Sequence, residues 1–189
     1  MVDSLYPMGD RLTVTQVSKL LRVPQHRLIH LCEQGVVVPD RNDAHGRGSS
    51  RGFSRRNLLE FAIALEMRRL ELPVSFVRAV LQVLRTFEAE ARAIRPGFAL
   101  PDSLLGSRAP NLALIIVDGE RLFFVLGRDV AFGGVAIPRP AVRGRARRHT
   151  SVGRLQKDAL RKALEGARTK AEVDITEIAR SVAAAEATS

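Results

Sequence analysis

The chain has 189 residues, room for one ordinary domain or for two small ones that share a core. Apolar residues make up 46% and charged residues 26%, a globular balance, and apolar runs such as LALIIV (112–117) fall far short of the roughly 20 residues a membrane-spanning helix needs. With 30 basic against 20 acidic residues the net charge is +10, which favours polyanionic partners, nucleic acid before anionic membrane.

The opening residues MVDSLYPMGDRL lack the basic start and apolar stretch of a secretory signal, so a cytoplasmic, nucleoid-associated address is expected. The single cysteine, Cys32, can form no internal disulfide and no multi-thiolate metal site. Its apolar helical setting predicts a buried, inert thiol. In TVTQVSKLL (13–21), Val14, Val17, Leu20 and Leu21 recur at helical spacing, with Thr13 or Thr15 as N-cap. Pro24 suits the first turn of a second helix running to about Gln34, and Gly35 suits its C-terminal end. That helix turns Leu28, Leu31 and Cys32 inward and leaves Gln25, His26, Arg27 and His30 on other faces.

VVVP (36–39) reads as a short strand. DRNDAHGRGSSRG (40–52) reads as a mobile, arginine-bearing loop returning to Phe53, the pattern of a β-wing. Ser54 caps a third helix whose expected inner stripe is Leu58, Phe61, Ala62, Leu65 and Leu70. Pro73 breaks it, and a fourth helix ends before Pro96-Gly97.

On the stretches LTVTQVSKLLRVP, EQGVVVPDR, RGFSRRNLLEF and MRRLELPVSFVRAVL, residues 11 to about 85 resemble the MerR-type winged-helix DNA-binding domain. The order is helix, turn, recognition helix, wing, helix, helix. The chain departs from that family at Ile29, His30, Leu31 and Cys32, where an Arg-Tyr-Tyr-Glu sequence is usual, and at Phe53, which replaces the wing tyrosine. It also lacks the cysteines of the metal-sensing branch.

The resemblance implies double-stranded DNA as partner, a homodimer, and RNA polymerase or another protein as a further contact, with no cofactor, metal or membrane. Gln25, His26 and Arg27 at the start of the second helix would read base edges, Arg27 pairing with guanine and Gln25 with adenine. Arg47 and Arg51 would reach phosphates from the wing tip, with Ser49 and Ser50 donating beside them, and Arg55 and Arg56 would clamp the backbone. Thr15, His30 and Arg41 complete the candidate contacts.

From Phe98 the pattern changes. LALIIVDGERLFFVLG (112–127) reads as a hairpin turning at Asp118-Gly119, and VAFGGVAIP (130–138) as a further strand. RPAVRGRARRHTS (139–151) is a basic loop carrying Arg139, Arg143, Arg145, Arg147 and Arg148. It either adds phosphate contacts or is a solvated segment. An amphipathic helix over 152–168, a strand EVDI and a last helix capped by Thr176 complete the chain. The sequence thus predicts a mainly α N-terminal winged helix-turn-helix (1–95) followed by a small α+β domain (98–189) for dimerisation, sensing or partner contact.

No phosphate-cradling loop, zinc-protease motif, nucleophile elbow or paired acid and base is found, so no catalytic residue is expected. The expected function is a sequence-specific, dimeric transcriptional regulator. An excisionase-like DNA-bending protein, or a protein-binding adaptor built on a winged helix, are the alternatives.

Overall fold

The computed structural model describes residues 11–39, 52–128, 130–135 and 152–188. Helix α1 (Val14–Leu21) opens with a capping box: the Thr13 hydroxyl accepts from the Gln16 amide, and the Gln16 side chain accepts from the Thr13 amide at 2.7 Å. It stops where Arg22 turns left-handed, at φ 53°. Helix α2 (Gln25–Glu33) follows Pro24, which is extended at ψ 139° and therefore caps the helix rather than occupying its first turn.

Gly35, at φ 64°, closes α2. Its amide donates to Cys32 and that of Val36 to Leu31, both at 2.9 Å, the paired bonds of a Schellman end. The strand expected at 36–39 does not form. The Val36 and Val37 amides both turn back to the Leu31 carbonyl, and the two side chains enter the core from coil. Leu12 and Phe53 exchange backbone hydrogen bonds of 2.9 Å, which ties the chain before α3 to the chain just before α1.

Ser54 caps α3 (Arg55–Arg69) through the Asn57 amide, and α4 (Val74–Ile94) begins after Pro73. The expected inner stripe of α3 is too narrow. Leu58, Leu59, Phe61, Ile63, Ala64 and Met67 are all buried, whereas Leu70 is 47% exposed. The helix lies inside the molecule, covered on more than one side, so it carries apolar residues around most of its circumference.

A short 3-10 turn, Asp102–Leu104, leads into the sheet. Its strands are β1 (Leu112–Val117), β2 (Arg121–Leu126), β3 (Val130–Val135), β4 (Val152–Leu155) and β5 (Lys170–Asp174). Every neighbour pairing is antiparallel, in the order β4-β3-β2-β1-β5. Helix α5 (Lys157–Glu165) joins β4 to β5, and α6 (Ile175–Ala187) follows β5. Asp118 and Gly119 take positive φ of 53° and 64° at the β1–β2 turn, as the Asp-Gly pair predicts.

Two expectations in this half are corrected. The predicted helix over 152–168 is strand in its first four residues. Val152 and Leu155 are three apart, a spacing that shares one helix face but splits across two strand faces, and pairing with β3 decides the matter. At α6 the cap is Asp174, whose carboxylate accepts from the Glu177 amide. Thr176 instead accepts the β1 amide of Leu112 at 2.6 Å, fastening α6 to the sheet.

One face of the sheet, with Leu112, Leu114, Ile116, Leu122, Phe124, Phe132 and Val173, packs on the helices. The other face, with Ile115, Val117 and Phe123, is covered by Leu160, Ala163 and Leu164 of α5. Phe87 of α4 sits at the centre of the larger core. It stacks on Phe124 at 4.7 Å and meets Phe132 and Phe98 edge-on at 5.1 and 6.1 Å. That core runs without a break from Val17 to Val182, so helices on the N-terminal side of residue 95 and the sheet beyond residue 98 bury their apolar surface together. The fold is mixed α+β, and no helix among the described residues is long and apolar enough to cross a membrane.

Candidate nucleic-acid interface

Two hydrogen bonds fix the start of α2. The Ser18 hydroxyl donates to the Val23 carbonyl at 2.6 Å, and the Val23 amide donates to Ser18, so the tight connection is closed from both ends. Leu28 and Leu31 are buried beneath the helix and Ile29 is half-buried. Gln25, His26, Arg27 and His30 are left exposed, as the helical spacing predicts. At the far end the Arg78 guanidinium of α4 donates to the Gln34 carbonyl at 3.1 Å, fastening the helix to the core.

The amide nitrogen of Gln25 donates to the Thr15 hydroxyl at 3.2 Å. This joins two of the sequence-predicted residues across the turn. It leaves the Gln25 carbonyl as an acceptor and the Thr15 hydroxyl proton as a donor, a pair suited to a base edge. No side chain caps α2, and the first turns of α1 and α2 contain no acidic residue, so the positive end of the helix dipole is not offset there. Arg27 adds a mobile cation at the same end.

The structure brings Thr15, Gln25, His26, Arg27 and His30 to one pair of short helices. Arg41, Arg47, Ser49, Ser50 and Arg51, with His45, lie outside the described residues. Arg55 and Arg56 are held elsewhere. Arg55 donates to Asp102 at 2.8 Å and to Glu186 at 3.0 Å, and the bonding to Glu186 raises its pKa above the ordinary arginine value. Arg56 lies 2.6 Å from Glu88 and 3.5 Å from Glu60. Both are engaged in ion pairs within the chain, with their side chains partly exposed.

Glu60 and Glu88 belong to a buried polar cluster that sequence reasoning missed. Arg85 grips both carboxylate oxygens of Glu60 at 2.9 Å. Glu88 accepts from Arg92 and from the Leu100 amide, both at 3.2 Å. Asn57, also buried, donates to the Val38 carbonyl at 3.0 Å and so pins the coil after α2 to α3. The available signal was a charged residue placed in the middle of an apolar helix, which demands a partner.

Arg11 was missed as well. A Cβ added at Gly52 would lie 3.2 Å from its side chain, so this exposed cation runs alongside the chain at Gly52. Its signal was position alone: it precedes Leu12, the residue that pairs with Phe53. Among the described residues no three metal-ligating side chains come together. The chain matches no protein-family model and no curated protein.

Proposed function

We propose that the chain is a double-stranded-DNA-binding regulator that lays the first turn of α2 into the major groove and acts as a homodimer. The observation that carries this reading is the exposed start of α2. Gln25, His26 and Arg27 project from a helix end that bears no acidic residue and is held by buried contacts from below. The net charge of +10 supports it by supplying the long-range attraction on which phosphate binding depends. In this pose Arg27 reads guanine, Gln25 reads adenine with Thr15 setting its orientation, His30 lies one turn further along the groove, and Arg11 stands with the wing at the backbone.

The test is selection of duplexes from a random pool with the purified full chain, followed by titration of the enriched sequence at two salt concentrations. The expected result is an inverted repeat bound with steep salt dependence. Arg27→Ala is expected to weaken the selected site about 5- to 150-fold, from the 1–3 kcal/mol of a bidentate contact, while leaving unrelated DNA bound as before. Replacing Arg47 and Arg51 together with alanine weakens all sequences alike. A pool that shows no enrichment refutes sequence reading. Binding lost at moderate salt then marks the charge as incidental and favours a protein partner.

A further inference from the structure

Strand β5 stands at one margin of the sheet, with β1 on one side and no strand on the other among the described residues. Along it the charges alternate with small or apolar residues: Lys170, Ala171, Glu172, Val173, Asp174, with Arg168 in the bend just before it. Alternating charge alone keeps a sheet edge solvated and blocks indiscriminate pairing. The sign, however, inverts about Ala171, positive before it and negative after it. A strand of this pattern is its own electrostatic complement when paired antiparallel with itself.

We infer that β5 pairs with the β5 of a second copy of this chain, antiparallel and with Ala171 on the two-fold axis. The backbone restricts the registers open to such a pair. The Thr169 carbonyl accepts from the Asp118 amide on the β1 side, so Lys170, Glu172 and Asp174 turn their backbone groups outward. Residues with outward groups must face one another across the new ladder. Three registers near the strand centre satisfy this. Centring on Glu172 sets two carboxylates against each other, and centring on Lys170 sets two ammonium groups together. Only centring on Ala171 sets opposite charges together at the strand centre, Lys170 with Glu172 of the second copy, a pair made twice by symmetry.

Lys170, Glu172 and Asp174 alternate onto one face of the sheet and are exposed, as is Arg168 in the bend before the strand. Lys170 and Glu172 lie 3.8 Å apart within the strand, a contact that pairing would exchange for stronger cross-strand ones. Beside the same margin opens a cleft of about 470 Å3, floored by Leu20, Leu21, Leu65 and Ile178 and bordered by Glu172, Val173 and Asp174. A strand added to β5 runs along the mouth of this cleft and covers apolar surface as it pairs. The interface uses no residue of the α2 face, so it stands or falls independently of DNA recognition.

The test uses sedimentation equilibrium of the full chain as wild type, Lys170→Glu and Glu172→Lys, with folding of each checked by circular dichroism. The wild type is expected to self-associate. Either single variant sets like charges against each other at both symmetry-related pairs and weakens association by about tenfold or more. An equimolar mixture of the two variants restores it, because every acidic strand then faces a basic one. Mixing repairs an interface between copies and cannot repair a defect within one chain. A wild type that stays monomeric at every concentration, variants that associate as the wild type does, or a mixture that fails to recover would each overturn the proposal.

Discussion

Removing the ring of Phe87 tests whether the helices and the sheet are one thermodynamic unit. The residue is fully buried and touches three other rings, one just after α4, at Phe98, and two in the sheet, at Phe124 and Phe132. Truncating a buried phenylalanine to alanine costs about 3–5 kcal/mol, and the stacked and edge-on contacts place this site toward the upper end. With a urea dependence of about 3 kcal/mol per molar, the unfolding midpoint of Phe87→Ala should fall by roughly 1–1.7 M. The chain has no tryptophan, so the transition is best followed by circular dichroism together with hydrogen exchange of peptides from α3 and β2. Because the core is continuous, both peptides should lose protection by the same amount. Loss confined to β2, with α3 protected as in the wild type, would refute the shared core and return the molecule to two separable parts.

Arg56→Ala should destabilise the fold by about 1–3 kcal/mol, because Glu88 then loses a charge partner while remaining buried, and should leave the salt dependence of DNA binding unchanged. A shallower salt slope at equal stability would show that Arg56 does touch phosphate. The Asp118 carboxyl is held below the ordinary aspartate range, first by the Thr169 amide, then by the Arg168 amide and the Arg121 side chain. A depressed value makes its contribution to stability fully present above the ordinary aspartate pKa and lost as pH falls through the folded one. Asp118→Asn should therefore flatten the fall in stability below about pH 4, and an unchanged acid limb in melting against pH would contradict this. Gly35→Ala should cost about 1–2 kcal/mol, since its φ of 64° is strained for any residue with a Cβ, and thermal melting reads the loss directly.

What the sequence disclosed was local. The capped helices around Val14–Leu21 and Arg55–Arg69, the glycine after α2 and the Asp-Gly hairpin each follow from chemistry within a few residues, and each is where that chemistry puts it. The exposed residues of α2 were legible for the same reason, since a 3.6-residue period sorts them directly. The misreadings came from partners distant in sequence. Arg55 looked like a free cation at a helix start, but its carboxylates are 47 and 131 positions away. Thr176 looked like a cap and is taken by an amide 64 residues earlier. Val36 and Val37 have the composition of a strand, yet their amides were already committed to Leu31.

The pairing of Arg55 with Glu186 also bears on the order in which the molecule can be made. Helix α3 is made well before α6, the helix that packs on it, and contacts closed over so many residues form slowly. Until then the apolar side of α3 has no permanent cover and the platform under α2 is incomplete. A chain that stops short of α6 therefore lacks the cover that α3 needs.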